Sequence, residues 1–512
     1  MALQNLKIWD ALNNRFAGVT YKSNVLGPLT VTADGVLTNA NGVGLTLEND
    51  SYKLTNNGVI GSTALGQSGI SVGAGSALSS FSNITNSSSG EVFGFYGIYL
   101  NGRADVINAG SIVGLSDGII DIFAGDNTIK NTGTISGNFT SVYSLAAGVH
   151  TINNSGTLIG EVKVTGLNSV ALFTNKGVLH GDVTFADGDN VLTNTGLING
   201  EVFMGSGNDT FTNSGSMTFG AGIQLGAGDD LFKGGKAAES ITDQAGNDKY
   251  TLGDGYDLFH AVALGSGGAF IDTVDGGANK GENPNVGSSS KGDTYDARDA
   301  TNDLIINLDT VTHQESAIGA QVYIASHAQG LDVGSDEIKN FESANGGSGA
   351  DVIFGNAKVN LLIGNEGHDV IHGYDGDDVI VAGVGSDFIF GDKGADTLTG
   401  GANANDGIAD YFFYGALSDS TVAKAGRDTI QFFEDGKDQI IFQGIAGHTG
   451  GDFVGVNVAF TPIAGQLEAR ALKTLSGWNL QIDTNGDGKA DMAINVADKL
   501  HAITWADDNF LF

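Results

Sequence analysis

The sequence predicts an all-β chain made of parallel β-helix and β-roll solenoids, with one short helix at its N-terminal end. Three observations predict it. Glycine supplies 80 of 512 residues, against a usual share of about 7%, which marks a chain built from tight turns. From Gly346 the sequence divides into nine-residue units, "GGSGADVIF", "GNAKVNLLI", "GNEGHDVIH", "GYDGDDVIV", "AGVGSDFIF" and "GDKGADTLT". Earlier, an N-x-G core recurs with glycines at 58, 110, 133, 156, 177, 196 and 215, later spacings near 20 residues being one coil of a solenoid.

Taken in chain order, residues 1–20 place Leu3, Leu6, Trp9, Leu12 and Phe16 near helical spacing and predict an amphipathic cap. The same stretch lacks a basic region followed by an apolar run, so it does not read as a signal peptide. Residues 21–250 form the first solenoid. Its N-x-G cores predict a ladder of Asn56, Asn108, Asn131, Asn154, Asn175, Asn194 and Asn213, whose amides satisfy turn backbone groups. Between those cores a second pattern sharpens through "GSGNDTF", "GAGDDLF" and "QAGNDKY", bringing in Asp209, Asp230 and Asp248. Residues 251–345 break the pattern and predict a β-rich spacer between solenoids. The strict nonapeptides fall in residues 346–414, and residues 415–512 predict a C-terminal cap.

The nonapeptide template is G-G-x-G-x-D-x-U-x, with U a large apolar residue. Position six reads Asp351, Asn360, Asp369, Asp378, Asp387 and Asp396, and position eight reads Ile353, Leu362, Ile371, Ile380, Ile389 and Leu398. Glycines at positions one and four (Gly346, Gly349, Gly364, Gly367, Gly373, Gly376, Gly385 and Gly394) serve the turns, and the position-eight side chain points to a thin core. Two units make one coil, so residues eighteen apart stack. Asp351, Asp369 and Asp387 form one column, and Asn360, Asp378 and Asp396 the opposite one. Coils about 4.8 Å apart bring carboxylates close enough to repel. Oxygen ligands without cysteine select a hard divalent cation, and a high oxygen count suits Ca2+.

These lines resemble the calcium-binding β-roll of RTX (repeat-in-toxin) proteins exported by type I secretion. The resemblance implies a parallel β-roll that folds outside the cell, where calcium is plentiful. "GGANANDG…IIFQG", Gly400 to Gly444, is similar to the segment that follows the roll in many RTX proteins. The ending "ITWADDNFLF" resembles the C-terminal signal of type I substrates. The implied location is extracellular, at the cell surface of a Gram-negative bacterium, with the type I machinery as partner during export.

Formal charge is −35, from 24 Lys plus Arg and 59 Asp plus Glu. Such a chain repels nucleic acid and anionic membrane. There is no cysteine for a disulfide framework and no 18-residue apolar run for a membrane span. "DTNGDGKADM" sets Asp483, Asn485, Asp487 and Asp491 around a glycine turn as a further calcium loop, although Ile494 replaces the Glu that would close an EF-hand.

Enzyme motifs are weak. His368 and His372 of "HDVIH" flank a three-residue strand, whereas a zinc protease needs both on one helical face beside a Glu. "GLSDG", Gly114 to Gly118, matches a nucleophile motif but lies inside a repeat array. The sequence therefore predicts no catalytic centre. It predicts a secreted, calcium-dependent structural protein resembling the S-layer and adhesin branches of the RTX family, self-assembling into a layer, filament or matrix, with a cell-surface polysaccharide as second partner. The rival expectation is a carbohydrate-active enzyme of lyase or epimerase type, or a glycan-binding adhesin.

Overall fold

The computed structural model describes residues 19–22, 29–48, 53–73, 81–122, 125–218, 222–261, 270–277, 292–315, 321–401, 407–445, 451–461, 467–498 and 503–512. Strands fill them, and no α-helix occurs among the described residues. Of the expected N-terminal helical cap, residues 1–20, all but Val19 and Thr20 lie outside the described residues. Val19–Lys22 is a strand paired in parallel with Leu45–Glu48. The chain divides into two compact units, Met1–Tyr250 and Thr251–Phe512.

In the first unit, period-two alternation sets the coil. Ser169–Asn175 buries every second residue, because successive strand side chains point to opposite faces. Parallel pairing then stacks the inward residues. Ile84, Val106, Ile129, Ile152, Phe173, Leu192 and Phe211 make one inner column, and Ile112, Ile135, Leu158, Leu179 and Ile198 another, all at most 5% exposed.

The turns stack as tightly as the strands. Asn56, Asn86, Asn108, Asn131, Asn154, Asn175, Asn194 and Asn213 form a buried ladder. Each Nδ2 donates to the Oδ1 of the next residue at 2.8–2.9 Å. The same Nδ2 also reaches backbone carbonyls, as Asn131 does to Gly133 and Thr157, so polar groups sealed in the wall are satisfied. Asn86 escaped the sequence reading because its turn, "TNSSSG", lacks the N-x-G spacing. At Gly133 a Cβ would lie 2.1 Å from the Gly110 carbonyl oxygen, so a side chain there would part the turns.

The second unit is a roll of two parallel ladders. One joins Leu258–His260, Thr294–Asp296, Ser343–Asn345, Leu361–Glu366, Val379–Val384, Thr397–Thr399 and Thr429–Gln431. The other joins Ile305–Asn307, Val352–Phe354, Val370–His372, Phe388–Phe390, Tyr411–Tyr414, Gln439–Phe442 and Phe510–Leu511. Inward residues Ile353, Ile371, Ile389, Phe412 and Ile440 are completely buried, as are Leu362, Ile380, Leu398 and Ile430. Residues 251–345 add antiparallel strands to the coil, His327–Gly330 pairing with both Ile305–Asn307 and Gly334–Lys339. Near the C-terminus, Gly477–Asp483 and Met492–Ala497 form an antiparallel hairpin.

Candidate metal centres

Each position-six aspartate immediately precedes a strand, so parallel register fixes it above its counterpart one coil earlier. In one column the amide N–H of Asp351 donates to Asp369 Oδ1 at 2.8 Å, Asp369 to Asp387 at 2.8 Å, and Asp387 to Asp410 at 3.2 Å. In the other, Asn360 donates to Asp378 at 2.7 Å, Asp378 to Asp396 at 2.8 Å, and Asp396 to Asp428 at 3.0 Å. The first unit repeats the device: Asn190 donates to Asp209, Asp209 to Asp230, and Asp230 to Asp248, each at 2.7 Å. Each accepting carboxylate thus commits Oδ1 to the backbone, and Asp209, Asp230, Asp369, Asp378 and Asp396 retain Oδ2.

The second oxygen is the notable one. Oδ2 of Asp209, Asp230, Asp369, Asp378 and Asp396 is sealed from solvent and has no hydrogen-bond partner, an arrangement that is expensive unless a cation completes it. In the roll, a main-chain carbonyl and a glycine stand beside this oxygen. A Cβ on Gly364 would lie 2.2 Å from Asp369 Oδ2 and 2.5 Å from the Ala382 carbonyl. One on Gly373 would lie 2.5 Å from Asp378 Oδ2 and 2.8 Å from the Gly391 carbonyl. The missing side chain leaves a cradle walled by oxygen, and an all-oxygen donor set fits a hard divalent ion such as calcium.

Burial pushes these carboxyls far above the ordinary 3.8. Asp369, Asp378, Asp396 and Asp209 rise to about 8 and Asp230 to about 7. Desolvation is the largest cause, the backbone N–H bond opposes it, and neighbouring carboxylates add repulsion. Asp248 is also raised by burial, although Tyr250 donates to it.

Other expected residues are placed differently. Asp351 ends its column with both oxygens occupied, Oδ1 by the Leu304 amide and Oδ2 by that of Gly347, and rises only to about 6 through burial. Asn360 turns Nδ2 toward the Glu342 carbonyl and Oδ1 toward the Asn356 amide. Gly346 sits beside Asp351 Oδ2 as Gly364 sits beside Asp369. At position four, a Cβ would strike the preceding coil: Gly367 meets the Gly349 carbonyl, Gly385 that of Gly367, Gly394 that of Gly376, and Gly376 that of Lys358. In the hairpin loop, Asp483 Oδ1 accepts from Asn485 and Gly486, and Oδ2 from Gly488. Asp491 is tied to Thr484 and Asn485, and Asp487 to Lys489. That loop is shaped by its own carboxylates.

The sequence reading missed Asp410, Asp428 and Asp438, which prolong the columns; the Asp410 amide donates to Asp438 Oδ1 at 3.0 Å. Their signal was visible as "ADYFF", "RDTIQ" and "KDQII", an aspartate two residues before a large apolar one. Longer insertions between coils hide it from a nine-residue frame. Burial and the neighbouring Asp396 raise Asp428 to about 9.

The histidine pair lies on strand geometry. His372 stacks between Phe354 and Phe390, with ring centroids 5.5 and 4.0 Å away, while His368 Nδ1 accepts the Ser386 amide.

Among curated proteins none matches the chain. The RTX calcium-binding nonapeptide repeat matches in four copies, over residues 225–259, 345–380 and 372–406. Those residues hold Asp230, Asp248 and the aspartates from Asp351 to Asp396, with their carboxylate columns and oxygen-walled cradles. The repeats, set in parallel coils, make this chain an RTX β-roll protein whose nonapeptides bind calcium.

Proposed function

We propose that this secreted calcium-binding protein is a structural one, which folds outside the cell and polymerises into a surface layer, filament or matrix. The observation that carries the reading is the set of stacked carboxylates with a buried, unpartnered Oδ2. Bound calcium supplies positive charge between coils. The ligands we assign are Asp209, Asp230, Asp248, Asp369, Asp378, Asp387 and Asp396, with cradle carbonyls beside them, and Asp483, Asn485, Asp487 and Asp491 as a separate loop site. Ionised columns without a cation oppose compaction, so the coils that carry them stay extended in a chain emerging from type I export until it reaches calcium.

Exposed carboxylates flank the columns at Asp187, Asp189, Asp229, Asp375 and Asp377. Neutralising them reduces repulsion between copies and lets ions bridge neighbours. Light scattering and negative-stain imaging across a calcium titration test the proposal. Ordered polymers growing with calcium support it, and a folded protein that stays monomeric in millimolar calcium overturns it.

One feature favours a second reading, a glycan-binding surface. A groove of about 410 Å³ on the first unit is lined by Lys130, Asn153, Ser155, Thr174 and Lys176 among others, offering amide, hydroxyl and ammonium groups to an acidic polysaccharide. Loss of binding to such a polymer in a Lys130→Ala, Lys176→Ala variant supports that reading.

A further inference from the structure

The aspartate column of the first unit continues toward the N-terminus with other residues. Val191 pairs with Thr210 and Leu172 with Val191, so Asn190 stands over Asp209 and Ala171 over Asn190. Further register places His150 opposite Ala171 and Asn127 opposite His150. Asn127, His150 and Asn190 are buried to 4% exposure or less, and Ala171 is completely buried.

Asn190 is held as the aspartates are. Its Oδ1 accepts the Ala171 amide at 2.8 Å, the same bond that Asp209 Oδ1 makes to the Asn190 amide. Its other terminal atom is a nitrogen. Nδ2 donates to three carbonyl oxygens, Ala186 at 3.0 Å, Gly188 at 2.7 Å and Met204 at 3.0 Å. One coil later the equivalent carbonyls belong to Gly205, Gly207 and Leu225. The atom at the matching position is Asp209 Oδ2, an acceptor with no partner. Acceptors facing acceptors need a cation, whereas acceptors facing an NH2 group do not.

Earlier coils meet the same need with N–H donors. His150 Nε2 lies 2.9 Å from the Ala146 carbonyl, which can only accept, and Asn127 Nδ2 donates to Asp121 Oδ2 at 2.7 Å. Charge divides at about the same point. Residues 1–180 carry eight Lys plus Arg against ten Asp plus Glu, and residues 181–512 carry sixteen against forty-nine.

We propose that the Asn190 side-chain amide stands in for a calcium ion, so that the calcium column of the first unit begins at Asp209 and the coils before it fold without metal. Those coils then offer a formed strand edge on which the Asp209, Asp230 and Asp248 coils order when calcium arrives. The inference rests on reading Asp209 and Asp230 as calcium ligands.

Two substitutions in the full-length chain test it, with bound calcium counted by equilibrium dialysis and amide exchange followed in chelator. Asn190→Asp should bind one more calcium and make protection of residues 191–194 depend on it. Asp209→Asn should bind one fewer and leave residues 210–213 protected in chelator. Wild-type protection of residues 127–175 should persist in chelator. If Asp209→Asn loses an ion but Asn190→Asp gains none and its coil exchanges as in the wild type, the stand-in is overturned while the column reading stands. If neither Asp209→Asn nor Asp230→Asn lowers the calcium count, the column reading falls and the inference with it.

Discussion

The main-chain N–H of Asp369 donates to Oδ1 of Asp387, one coil later, at 2.8 Å. The bond makes each column aspartate both a backbone acceptor and a buried charge. Folding and ionisation are therefore linked through the same side chain.

Without calcium, the fold should prefer acid. Asp369, Asp378 and Asp396 ionise near 3.8 when unfolded and near 8 when folded. Between those values the folded chain holds more protons, so stability falls as pH rises from about 4 to about 8. Calcium should bind more tightly over the upper part of that window, since it replaces the protons. Thermal unfolding in chelator and in calcium, from acid to mild alkali, checks both trends.

Replacing Asp369 with Ala removes the acceptor of the Asp351 amide as well as a proposed ligand. Leaving that buried N–H unmet should cost about 1–3 kcal/mol, and calcium affinity should fall too. His368→Gln, at an exposed position, should change neither quantity. His372→Ala should lose about 1 kcal/mol of ring stacking with the calcium count unchanged. Chemical denaturation together with calcium titration separates the three.

Gly364→Ala should block a calcium site, because the new Cβ would enter the cradle 2.2 Å from Asp369 Oδ2. Gly436→Ala is the control: its φ is +69° and nothing lies within 4 Å, so backbone strain of about 1 kcal/mol is the only expected effect. Calcium stoichiometry should drop for the first variant alone.

Asn131→Ala should destabilise the first unit whether or not calcium is present. It removes one acceptor from Asn108 Nδ2, which keeps the Gly110 and Thr134 carbonyls, and one donor from Asn154 Oδ1, which keeps the Gly156 amide, two hydrogen bonds at about 0.5–1.5 kcal/mol each. Denaturation of the variant in chelator and in calcium should show similar losses.

Much of this architecture was legible because a solenoid repeats its local rules. Ile353, Ile371 and Ile389 announced their column by spacing alone, and apart from Asn86 the Asn ladder was visible in the N-x-G cores from Asn56 to Asn213. What stayed hidden depended on three-dimensional register. Asp410, Asp428 and Asp438 join the columns across insertions that break the nine-residue period. No spacing rule shows that a backbone N–H occupies Oδ1 of Asp209, Asp230, Asp369, Asp378 and Asp396 while Oδ2 is left over. The role of Asn190 emerges only from the three carbonyls around Nδ2.

The central claim is that calcium completes the carboxylate columns and thereby folds the roll. Amide exchange at Asp351, Asp369, Asp378 and Asp396, whose N–H groups donate along the columns, tests it most directly at slightly alkaline pH. The account predicts strong protection in millimolar calcium and exchange near the unfolded rate in chelator. Equal protection of these amides in both conditions would contradict it.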